Sequence, residues 1–170
     1  MSKYLFFISL VISTTLNISC ESKSKNKNRT SRTEYLPVTK VVDGDTFWAD
    51  NGTIDGVKVR LIGVDAPESK KIFKKEVGYY GKEAKAYLTK ILNGKSVKLL
   101  RDVDSLDQYG RTLSYVYLED GTFVNAELVK NGYAMVMTVP PNVKFVEVFV
   151  KLQEDARQYS RGLWGLTNQK

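Results

Sequence analysis

Val38-Thr-Lys-Val-Val-Asp-Gly-Asp-Thr-Phe-Trp-Ala49 and, beyond Asn51-Gly52, Val57-Lys-Val-Arg-Leu-Ile62 carry the strongest fold signal in this chain. Val38 to Val42 and Thr46 to Ala49 have the β-branched and aromatic content of strands, with Asp43-Gly44 as the turn between them. Asn51-Gly52 is a hairpin signal. Val57 to Ile62 alternates, so Val57, Val59 and Leu61 face one side while Lys58 and Arg60 face the other. Farther along, Tyr80, Ala84, Tyr87, Leu88, Ile91 and Leu92 recur at helical spacing, and Gly94 suits the C-terminal stop. Ser96 to Leu100 and Thr112 to Leu118 read as strands around a polar turn, Asp102 to Gly110. Phe123 to Lys130 predicts a short helix ended by Asn131-Gly132, and Tyr133 to Val136 an extended segment. Phe145, Phe149, Leu152, Ala156 and Tyr159 mark a last helix, despite valines that favour strands. About five short strands interrupted by about three helices predict an α+β fold, a small five-stranded Greek-key barrel with helices packed on it.

Composition narrows the chemistry. The 170 residues suffice for one domain of ordinary size plus extra segments. With 42% hydrophobic and 26% charged residues the chain has the makings of a folded core. Histidine is absent, which removes Ser-His-Asp triads, HExxH zinc sites and any mechanism with imidazole as base. The single cysteine, Cys20, removes disulfide frameworks, zinc fingers and CxxC redox chemistry. Catalysis falls to carboxylates, Arg, Lys, Tyr or a metal that favours oxygen. The net charge of +7 permits an anionic partner, but its distribution matters more. Residues 21–34 hold five Lys/Arg against two Glu, and residues 35–170 hold 20 Lys/Arg against 17 Asp/Glu. The folded part is only mildly basic, so net charge alone does not establish nucleic-acid binding.

The first 19 residues read as an address. Lys3 precedes an apolar run from Tyr4 to Ile12 and then small and polar residues, the pattern of a secretory signal. The run is short of the roughly 20 apolar residues of a membrane-spanning helix. Leu16-Asn17-Ile18-Ser19-Cys20 resembles a bacterial lipoprotein signal, with Asn17 where an aliphatic residue is usual. That resemblance makes Cys20 the lipidated first residue of an exported protein held to a bacterial membrane. An uncleaved anchor, or plain secretion, is the alternative. Residues 20–34 then form a polar, basic tether with little to bury, and residues 35–168 the domain.

Four short segments concentrate polar residues. Val42-Asp43-Gly44-Asp45-Thr46 alone is the usual tight turn between strands. An EF-hand loop is excluded, because its twelfth position counted from Asp43 is Ile54 and from Asp45 is Gly56. In Arg60-Leu-Ile-Gly-Val-Asp65-Ala66-Pro67-Glu68, Asp65 reads as an N-cap with Glu68 as its capping-box partner, or else as a hard-cation ligand with Glu68 as a base. Asp107-Gln108-Tyr109-Gly110-Arg111 reads as a polar loop entering a strand. Gly162-Leu163-Trp164 reads as packing at the chain end.

In that order and spacing, with Tyr80-Gly81-Lys82-Glu83-Ala84 and Asn125-Ala-Glu-Leu128 between them, these segments resemble the staphylococcal nuclease family across about residues 36–165. The resemblance implies an OB-fold barrel, a Ca²⁺-dependent site and cleavage of DNA and RNA phosphodiesters to 3′-phosphates. The expected substrate is single-stranded or locally open nucleic acid, and the expected state is a monomer. It implies that Asp45 and Asp65 bind Ca²⁺ with their carboxylates and Ala66 with its carbonyl. Asp43 supports them, Glu68 positions or deprotonates water, Arg60 and Arg111 clamp the phosphate, and Tyr109 contacts the nucleotide. These residue types suit the chemistry. A hard dication and two guanidiniums can stabilise charge developing on a phosphate, and a carboxylate of ordinary pKa can accept a proton without histidine. Gln108 and Ala66 replace residues common in the family, and aromatics are missing near Thr138 and Pro140. A catalytically weak binding module for nucleic acid or protein, on a surface lipoprotein, is the alternative function.

Overall fold

The predicted turn at Asp43-Gly44 is where the barrel begins. In the computed structural model, which describes residues 35–71 and 76–165, β1 (Leu36–Asp43) turns directly into β2 (Thr46–Ala49), with Asp43 opposite Thr46. The readings on residues 1–34, including Cys20, lie outside the described residues. β3 (Val57–Leu61) pairs antiparallel with β2, and β5 (Ser96–Leu100) pairs antiparallel with β6 (Thr112–Leu118). β3 and β6 run parallel, and β1 meets β5, so the sheet closes in the order β1-β2-β3-β6-β5. This is the five-stranded barrel expected, and closure leaves it no free edge. Among the described residues no helix is long and apolar enough to cross a membrane.

Phe47, Ala49, Val59, Val97 and Val116 fill the interior and are completely buried. α1 (Gly81–Leu92) lays Ala84, Leu88 and Leu92 on this core, the i, i+4 face that its spacing predicts. α2 (Val124–Lys130) ends at Asn131-Gly132 as expected. α3 (Val146–Gln158) is helical despite Val146, Val148 and Val150. Its Phe149 is fully buried among Tyr115, Phe123 and Phe145, and that apolar anchor outweighs a weak local preference for strand. The chain end, Gly162–Trp164, is a short 3-10 helix, with Arg157 stacked over Trp164 at 4.3 Å.

Two features depart from the sequence pattern. No helix starts at Asp65; instead β4 (Val64–Asp65) forms a two-stranded ribbon with β7 (Met135–Val136), which removes the capping reading of Asp65 and Glu68. Arg60, placed by alternation on the face away from the core, is nevertheless 8% exposed.

Candidate active site

The β1–β2 turn sets the first carboxylate. Gly44 is essential to its placement: a Cβ there would lie 2.6 Å from the Ala66 Cβ and 2.9 Å from the Ala84 Cβ. Only a residue without a side chain lets the turn press against α1 and the 64–68 segment. Asp45, which follows, is 7% exposed and tightly held. Its Oδ2 accepts the Ala66 amide at 2.9 Å and its Oδ1 the Thr46 hydroxyl at 2.9 Å. Asp43 Oδ1 accepts the amides of Gly44 at 2.9 Å and Ser69 at 3.1 Å, so it ties the turn to the residue after Glu68.

Arg60 joins the two acidic segments. Its Nη1 lies 3.2 Å from Asp45 Oδ2 and its Nη2 2.9 Å from Asp65 Oδ1. Nη1 also donates to the carbonyls of Leu61, at 3.0 Å, and Val64, at 2.7 Å. These bonds explain the burial of a charged side chain: a guanidinium leaves water only where donors and charge are met. Among the described residues, the donor on Nε and a second on Nη2, of its five, have no acceptor. Burial pushes the Asp45 carboxyl above its usual range, and the nearby Arg60 charge and the hydrogen bonds from Ala66 and Thr46 offset that only in part. A cation beside Asp45 would favour its charged form.

The donor set around this pair fits a hard cation. It comprises the two carboxylates that Arg60 bridges, both oxygen donors, and the Asp65 side chain is 44% exposed. Among the described residues no group of three or more His, Cys, Asp or Glu is placed to hold a metal ion, so such an ion would have to complete its shell with carbonyl, water or substrate oxygens. Glu68 is half-buried beside these groups in sequence, and its carbonyl accepts the Gly78 amide at 2.9 Å. Gly81 abuts the same carbonyl so closely that a Cβ would collide with it. The loop carrying Glu68 is thus seated on the start of α1.

The second arginine arrives from the 102–111 loop. Arg60, Arg111 and Tyr109 line one cavity of about 290 Å³, together with Leu113, Met137 and Pro140. Arg111 Nε donates to Asp107 Oδ2 at 2.6 Å, and its guanidinium lies 5.4 Å from the Tyr109 ring. Asp107 Oδ1 accepts the amides of Tyr109 and Arg111, each at 2.9 Å. Asn142, from the segment after β7, grips the base of the loop by accepting the Asp104 amide at 2.8 Å and donating to the Asp104 carbonyl at 3.0 Å. Deeper in, fully buried Asn125 links β3 to β6: its Nδ2 donates to the Ile62 carbonyl and its Oδ1 accepts the Val116 amide, both at 2.9 Å.

Burial raises the Asp107 carboxyl, yet the Arg111 and Tyr109 hydrogen bonds and the Arg111 charge outweigh it and hold the group below the usual range. A depressed carboxylate contributes stability that is present above its unfolded value, near 3.9, and is lost as pH falls through the folded value. Asp107→Asn is therefore expected to cost about 1–2 kcal/mol at neutral pH. Urea titrations of variant and parent should converge as the pH falls below the folded value of this carboxyl. A gap that persists there would show that the carboxylate charge is not what holds this loop.

Asp45, Arg60, Asp65 and Ala66 thus come together, with Asp43 bound to the adjoining loop and Arg111 and Tyr109 across the cavity. Asp107 and Asn142, which hold the loop carrying Tyr109 and Arg111, are not marked out by the sequence pattern. A polar loop offers no periodicity, and only the three-residue spacing Asp107 to Gly110 hinted at a self-bonded turn.

The family model describing staphylococcal nuclease homologues matches residues 58–165. The chain is 36% identical over 157 residues to a thermonuclease of Staphylococcus intermedius, a match covering 92% of each protein. It is 38% identical over 129 residues to a thermonuclease of Staphylococcus hyicus, covering 75% of this chain and 73% of that one. Endonuclease YhcR of Bacillus subtilis (strain 168) is 34% identical over 134 residues, which are 75% of this chain and 11% of that protein.

Proposed function

Because this chain belongs to the staphylococcal nuclease family, we propose that it is a Ca²⁺-dependent nuclease that hydrolyses DNA and RNA with little sequence preference and leaves 3′-phosphates. The observation that carries this reading is the guanidinium of Arg60, shared between Asp45 and Asp65 at the mouth of a cavity that Arg111 also lines. Asp45, Asp65 and the Ala66 carbonyl would hold the calcium. When bound, it supplies a hard positive charge against the charge that grows on the phosphate.

The protein's own groups do the rest. Arg60 offers its two remaining N–H groups to a phosphate oxygen, and Arg111 offers donors from the opposite wall. As planar guanidiniums, they stabilise the added negative charge through hydrogen bonds and charge. Glu68 accepts the proton of the attacking water. Tyr109, exposed on the loop, meets the nucleotide with its ring or hydroxyl. Asp43 holds the turn and the Glu68 segment in register through the Gly44 and Ser69 amides.

The domain, residues 35–168, acts as a monomer. On its N-terminal pattern it is exported and held to the membrane by lipid on Cys20, with residues 20–34 as the tether. One preparation tests both parts of the proposal. The full chain is expected to enter the detergent phase on partitioning and to degrade single-stranded DNA in calcium but not in chelator. Retention of DNA on a gel without degradation would favour the binding module instead. Degradation unchanged by chelator would reject the calcium requirement.

A further inference from the structure

Aromatic side chains are missing near Thr138 and Pro140, yet the barrel carries one elsewhere on a face that leads into the site. Phe47 and Ala49 point into the core and are fully buried, so Trp48 between them stands on the outer face of β2. It is only partly buried. Lys40 of β1 lies directly opposite it on one side and Lys58 of β3 on the other. The Lys58 ammonium is 6.0 Å from the indole centroid. Neither lysine has a carboxylate within ion-pairing distance among the described residues, although Asp50 and Asp55 lie in the adjoining loop.

The next row along the same face is Thr46 opposite Arg60. Two residues of strand span about 7 Å, so along the backbone the lysine–tryptophan–lysine row lies one pleat repeat from Arg60, whose guanidinium is already assigned to the phosphate. A π-face flanked by two cations is what a single-stranded nucleic acid recognises: a base stacks on the indole, and the phosphates on either side meet the ammoniums. Strands 2 and 3 also form the face on which OB barrels take oligonucleotides.

We propose that Lys40, Trp48 and Lys58 form a substrate subsite outside the catalytic cavity, which holds a nucleotide of a single strand while a neighbouring phosphate occupies the site at Arg60. This rests on the nuclease reading above and adds a prediction that the reading does not contain. Trp48 should matter for long single strands and not for the shortest cleavable substrate, which ends before it reaches the row.

The test uses the full chain, Trp48→Ala, Trp48→Phe and the double variant Lys40→Gln/Lys58→Gln. Binding of a labelled oligothymidylate is measured by anisotropy, and cleavage is measured on that oligonucleotide and on a dinucleotide. Trp48→Ala should weaken oligonucleotide binding roughly tenfold and raise its KM to match, with kcat and dinucleotide cleavage unchanged. Trp48→Phe should restore most of the loss. The double lysine variant should make the slope of log affinity against log salt shallower by about 1.4, the share of two phosphates on a single strand. Equal oligonucleotide affinity in parent and Trp48→Ala would overturn the proposal. So would an equal loss on the dinucleotide, or a lowered unfolding midpoint with binding intact, which would make the indole a packing residue only. Failure of the nuclease reading is seen separately, as absence of cleavage by the parent, and the binding arm still decides on the subsite.

Discussion

Arg60→Ala is expected to lower the unfolding free energy by about 3–5 kcal/mol, the usual cost of removing one partner from a buried ion pair. The size follows from what is left behind. Arg60 and Asp45 side chains are each 10% exposed, so Asp45 would keep its charge with little water to replace the guanidinium. The carbonyls of Leu61 and Val64 would lose their donor as well. Two results would identify the cause. Burial already raises the Asp45 carboxyl, and without Arg60 it rises further, so the deficit should shrink as pH falls and Asp45 takes up a proton. Arg60→Ala/Asp45→Asn should recover a large part of the loss, because the stranded charge is gone. Denaturant titration of the parent and the two variants at pH 7 and pH 4.5 measures both. A loss below 1 kcal/mol, or no recovery in the double variant, would mean that Arg60 is not the strut between these carboxylates.

Glu68→Gln and Arg111→Gln should each reduce kcat by roughly 10²–10³, equivalent to about 2.7–4 kcal/mol of transition-state stabilisation. KM should change far less, because both groups act on charge that exists only as the phosphate is attacked. Neither change should unfold the protein. Glu68 is half-buried, and Arg111 keeps 26% of its side chain exposed. The two losses are not expected to add, since water activation and phosphate stabilisation serve one step. Initial rates on single-stranded DNA in saturating calcium, beside melting curves, give the comparison. Activity near the parent level in both variants would reject this assignment of roles. A large effect of Glu68→Gln on the melting curve would assign Glu68 to the loop instead of to the water.

The predicted elements with a regular hydrophobic period are present in the fold. β5 and β6 span the residues expected, and α1 carries the face and the stop read from its spacing. Strand alternation and helical periodicity are written into neighbouring residues, so a single chain displays them without a partner. β4 is two residues long and has no period to display; it exists because β7 comes alongside it.

The candidate site divides along the same line. The amino-acid sequence by itself determined the inventory: no histidine, one cysteine, and acidic and guanidinium groups at Asp43, Asp45, Arg60, Asp65, Glu68 and Arg111 in a recognisable order. Tertiary structure alone decided what those groups do to one another. Alternation puts Arg60 on the outer face of β3, and an outer face means solvent unless another segment covers it. The 64–68 segment does so, carrying Asp65 to 2.9 Å from Arg60 while Ala66 binds Asp45. Parallel pairing of β3 with β6 then brings Leu113 beside Arg60 and leads from β6 back to Arg111 and the cavity. Charge, burial and hydrogen bonding at such a site depend on distances between residues far apart in the chain, and only the folded barrel sets those distances.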